Sequence, residues 1–136
     1  MNRRPVKSAV LGGKRVEGAG MKGIRKLDIR GMDVLVFWLR KKPAWVPRDC
    51  ENGCLDQTRT PWRIWVSTTG SKANQRETLM HEITHALDVS SDADLEGLRG
   101  SGDEAEENRV SRLAGAWLDF LERNPEAVAE LSKKGA

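Results

Sequence analysis

The chain has 136 residues, among them no tyrosine, two histidines, two cysteines and two phenylalanines. Each scarcity excludes something. Two cysteines are too few for a disulfide framework and read as reduced thiols. No stretch approaches the ~20 apolar residues of a membrane-spanning helix. The longest apolar run, Val34 to Leu39, is the length of a strand. Basic residues open the chain at Arg3 and Arg4, but no apolar segment follows them, so no secretory leader is expected and the location read from the sequence is cytoplasmic. No segment repeats.

What is present suffices for one folded domain. Hydrophobic residues make up 38%, and 13 glycines bring the apolar share to the globular range. The formal net charge of +3 conceals an asymmetry. Residues 1–72 carry 16 Lys+Arg against 6 Asp+Glu, whereas residues 73–136 carry 7 against 14. Such a split suits either a half that binds nucleic acid or two halves that attract each other.

Residues 1–26 are rich in Gly, Arg and Lys without apolar periodicity and read as a basic, flexible extension; residues 27–136 read as a single compact domain. Asp28 to Gly31 reads as a turn into a strand, Met32–Leu39, apolar on both faces and so covered on both sides. Residues 53–57 and 62–68 read as a hairpin, and the second strand, with Ile64 and Val66 on one face and Trp65 on the other, as a sheet edge. Ser71 is a candidate N-cap for a helix reaching about Val89. A short helix is expected around 93–98. Ser101 to Glu104 has capping-box spacing before a helix whose apolar stripe is Val110, Leu113, Ala114, Trp117, Leu118 and Leu121. Asn124-Pro125 ends it. The fold class expected is α+β, a small antiparallel sheet of about three strands packed on the helices.

His81-Glu82-Ile83-Thr84-His85 carries the chemistry. Histidines at i and i+4 share a helical face about 5–6 Å apart, which suits two nitrogen ligands on one zinc ion. The glutamate between them can reach a zinc-bound water as general base. The motif uses both histidines of the chain. Two randomly placed histidines would show this spacing, with Glu after the first, about one time in a thousand. With no third histidine, the remaining ligand must be a carboxylate or a cysteine. The later helix offers Asp103, Glu104, Glu106 and Glu107, some of which simply favour the helix dipole.

The segments Arg63 to Ser67 and Arg76 to Asp88, the latter containing Thr78-Leu79-Met80-His81-Glu82-Ile83-Thr84-His85-Ala86, resemble the small ImmA/IrrE-type metallopeptidases, most of all the compact versions common in phage genomes. The later run Glu106-Glu107-Asn108-Arg109-Val110-Ser111-Arg112-Leu113-Ala114 is similar to that family's second ligand-bearing segment. Val110 and Ser111 depart from its usual Ala and Asn. The resemblance covers about residues 27–125. It implies a gluzincin-like site with Zn2+ on His81, His85 and Glu107, with Glu106 as the alternative third ligand, and Glu82 as general base. It further implies a protein or peptide substrate, which could be a transcriptional regulator, bound as an added strand along Trp65, Val66 and Ser67. Asp88, three residues after His85, lies on the same face and is a candidate to orient a histidine. Zincins commonly add a Tyr, His or Arg for the developing oxyanion; here Arg109 and Arg112 are the candidates.

A reading of another class uses Cys50 and Cys54. Joined to His81 and His85 they would make a structural zinc site in a non-catalytic module that binds nucleic acid or a regulatory protein, but the 26 residues between Cys54 and His81 exceed the usual finger spacing of about 12. Nine Lys+Arg against two acids within residues 1–30 would attract a polyanion without sequence preference. The acids from Asp92 to Glu96 lack the spacing of a calcium loop and read as a solvated stretch.

Overall fold

The computed structural model describes residues 10–11, 14–15, 21–91 and 103–133. Two-residue strands β1 (Val10–Leu11) and β2 (Lys14–Arg15) pair with each other. The main sheet holds β3 (Lys26–Ile29), β4 (Met32–Leu39), β5 (Gly53–Asp56) and β6 (Trp62–Ser67) in the order β3-β4-β6-β5. Helices α1 (Lys72–Ser91), α2 (Asp103–Arg123) and α3 (Pro125–Leu131) follow. The fold class is α+β as expected, but the sheet has four strands and is mixed. The expected turn at Asp28 shrinks to Arg30 and Gly31, with φ of 53° and 90°. Two consecutive left-handed residues make the tight hairpin turn whose twist matches the strands, and Gly31 adopts that φ without a Cβ clash. Asp28 Oδ1 accepts from Gly31 N at 2.8 Å, and residues before the turn become β3.

β4 and β6 run parallel, with Val36 opposite Ile64 and Trp38 opposite Val66. A parallel pair needs a long crossover. The chain between them supplies it: a loop over one face, then β5, which returns antiparallel on the far side of β6. Consequently β6 is an interior strand rather than an edge. Its Ile64, Trp65 and Val66 are each 1% exposed or less.

The two faces of the sheet are covered differently, as the doubly apolar β4 predicts. On one face Leu27, Ile29, Val34, Val36, Ile64 and Val66 meet Leu79, Ile83, Ala86 and Leu87 of α1, with Ala116 and Phe120 of α2. On the other, the 40–50 loop lays Val46 over Trp65 and Cys54. Trp65 Nε1 donates to Leu39 O at 2.9 Å, and the Arg63 guanidinium sits 4.1 Å above the Trp45 ring.

Ser71 caps α1 as expected, its Oγ accepting from Asn74 N at 3.1 Å. In α2 the stripe is displaced. Ala116 and Phe120 are buried, Leu113 and Trp117 half-buried, whereas Val110, Leu118 and Leu121 are exposed. The helix is apolar over too broad an arc for periodicity to say which part packs. Of the residues read as an extension, Met21–Gly23 forms a 3-10 turn and Ile24 is a core residue. The expected helix at 93–98 and the cap at Ser101 lie outside the described residues.

Candidate metal centre

The capped helix α1 delivers both histidines to one point. His81 Nε2 and His85 Nε2 stand 3.1 Å apart, with ring centroids 4.6 Å apart and planes at 83°. Two nitrogens bound to one tetrahedral zinc at about 2.05 Å are about 3.3 Å apart, so the pair fits two adjacent ligand positions. A hydrogen bond between the rings suits the same distance. In both cases two exposed imidazoles aim their Nε2 atoms at shared space.

Glu82, next to His81 in the helix, is buried against the sheet and is 7% exposed. Burial pushes its carboxyl above the ordinary carboxylate range, and the two imidazoles pull it back only in part. It lies under the start of β5. A Cβ built on Gly53 would meet Thr78 Cγ2 at 2.5 Å, Trp65 O at 3.1 Å and Glu82 Oε2 at 3.4 Å. Gly53 therefore permits the close approach of strand and helix. The sequence reading did not single it out, because only the strand order brings it to Glu82.

The remaining expected residues are distributed less favourably. Asp88 is held by Arg109, whose Nη2 donates to Oδ2, while the buried Oδ1 has no hydrogen-bond partner. Its observed bond is thus to α2 and not to a histidine. Arg112 Nη1 donates to Ser91 O at 2.9 Å, so both arginines join α2 to α1. Because Arg109 turns toward α1, Glu107 points about 160° away from it at 100° per residue, and Glu106 lies about 60° from it. Both glutamates are exposed. Among the described residues no three His, Cys, Asp or Glu side chains converge as a metal site. Glu107 is therefore not brought to the histidine pair. The phase of α2 is set by burying Ala116 and Phe120, which the assumed stripe did not anticipate.

Trp65, Val66 and Ser67 are buried in β6, whose backbone is already paired on both sides. Of the three, Ser67 lines a polar cavity of about 230 Å³ with Asn52, Asn74, Gln75 and Thr78 at the start of α1. The sheet edge beside Glu82 is β5. A larger groove, about 670 Å³, runs along the opposite edge between β3 and the α2–α3 junction, away from the histidines. Cys54 is buried beside Cys50, and burial, then the neighbouring thiol, push it up to about 12. No protein-family model, curated protein or solved structure matches the chain.

Proposed function

We propose that the chain is a zinc-dependent metallopeptidase of minimal zincin type, acting in the cytoplasm, of a phage host if phage-encoded, on a flexible segment of a protein substrate. The observation that carries this reading is the convergence of the His81 and His85 Nε2 atoms beside a buried Glu82. His81 and His85 supply two ligands. Glu106 is the α2 carboxylate turned closer to α1, and Glu107 is the one the family resemblance names. Bound zinc would acidify water and polarise a scissile carbonyl. Glu82, made more basic by burial, accepts a proton during attack and returns it to the leaving amine. β5, paired on one side only among the described residues, receives the extended peptide by strand addition. The family resemblance makes a transcriptional regulator a candidate substrate.

The test combines metal analysis with cleavage of fluorescein-labelled casein. Glu82→Gln is expected to retain zinc and lose cleavage. His81→Ala and His85→Ala are expected to lose both, and Glu106→Ala and Glu107→Ala report the carboxylate ligand. Zinc that survives His81→Ala but disappears with Cys50→Ala and Cys54→Ala would overturn the reading in favour of a structural site.

A further inference from the structure

α2 turns two apolar sectors in different directions. One, around Ala116 and Phe120, is buried in the core. The other is open: Val110, Leu118 and Leu121 are 57%, 64% and 43% exposed, and Ala114 between them is exposed as well. Spaced i, i+4, i+8 and i+11, these four form one stripe along most of the helix. A single exposed leucine is ordinary, but an aligned apolar row on a 21-residue helix marks an interaction surface.

The charges beside the stripe are of one sign. Asp103, Glu104, Glu107 and Glu122 are all exposed and lie within about 100° of it on the helical wheel. The arginines of α2 lie off the stripe and are engaged elsewhere. Arg109 bonds Asp88, Arg112 bonds Ser91 O, and Arg123 bonds Asp119 and Asp28. An apolar ridge with acidic flanks is complementary to an apolar ridge with basic flanks.

We propose that this face of α2 docks an amphipathic helix of a partner protein whose apolar ridge is flanked by Lys and Arg. Such helices bind through apolar anchors at i, i+3, i+4 and i+7. A second copy of the chain is a poor occupant. Stacked parallel, the acidic first turns would face each other; stacked antiparallel, they would face Glu122. The proposal is independent of the metal centre, since the stripe lies on the side of α2 turned from α1.

The probe is a synthetic Leu/Lys amphipathic helix of about five turns, with a Leu/Glu peptide of the same apolar pattern as control, measured by fluorescence anisotropy on the full chain. The Lys peptide is expected to bind at least about tenfold more tightly than the Glu peptide. Leu118→Gln, at an exposed position and checked for an unchanged circular dichroism spectrum, and the double change Glu104→Lys, Glu122→Lys, which spares the candidate zinc ligands, are each expected to weaken it about tenfold. Equal binding of the two peptides, or parent-like binding by both variants, would overturn the proposal. So would sedimentation of the parent chain as a dimer that Leu118→Gln dissociates, which would assign the face to a second copy.

Discussion

Gly53 and Asp56, at the two ends of β5, carry opposite demands. Gly53 has no room: an added methyl would sit 2.5 Å from Thr78 Cγ2 and 3.1 Å from a backbone oxygen. Gly53→Ala is expected to destabilise the fold by about 1–3 kcal/mol in urea denaturation, with partial rescue by Thr78→Ser, which removes the obstructing methyl. Asp56 is instead over-bonded. The Thr58 hydroxyl at 2.6 Å, the Thr58 amide at 3.0 Å and Arg63 Nε at 2.7 Å hold its carboxyl down at about 2, against an ordinary 3.8. A lowered acid stabilises the fold above its unfolded pKa, and that contribution is lost as pH falls from about 4 to about 2. Its size is on the order of 2 kcal/mol. Asp56→Asn should therefore flatten the acid limb of the stability profile between those values. Cys54 offers a kinetic check at the same scale. As a buried thiol pushed up to about 12, it should react with a maleimide more slowly than the half-buried Cys50.

Among the elements, the junction of α2 with β3 rests on Asn124. Its Oδ1 accepts from Asp28 N at 2.8 Å, and its Nδ2 donates to Asp28 O at 2.8 Å and to Phe120 O at 3.0 Å. The side chain acts as one residue of an additional strand, closing the β3 edge at Asp28 while capping α2. Asn124→Ala is expected to cost about 1–3 kcal/mol, because the part-buried N–H and C=O of Asp28 lose their partners. The measurement is the shift in denaturation midpoint at constant slope. α1 and the β5–β6 hairpin were legible from pattern, since capping by Ser71 and strand alternation are local. The placement of β6 inside the sheet was not, because its alternation reads as half-exposed and nothing local to the strand records that the distant β4 pairs along its other side. The face of α2 was not legible for a related reason. Its apolar arc is broad, and only contact with α1 and β3 decides which part of it is core.

At the scale of the whole molecule, a cation held by both histidines would bind the folded chain in preference to the unfolded one. Zinc at about 100 times its Kd should raise stability by about 2.7 kcal/mol in the parent and by much less in His81→Ala. Thermal unfolding with and without a chelator reads this directly. The charge asymmetry, +10 in residues 1–72 and −7 in residues 73–136, is not what joins α2 to β3: Arg123 and Asp28, which meet there, each carry the minority charge of their own half, and the neutral Asn124 holds the same Asp28. The sequence by itself determined the α+β class, the capped helix and the pair of histidines on one face, because each depends on spacing within a single element. Only the tertiary structure decided which strand is an edge, that Gly53 lies over Glu82, and that among the described residues no third ligating side chain converges on the two histidines. Those depend on strand order and helix phase, which are set by burial summed over several elements and leave no mark in any one of them.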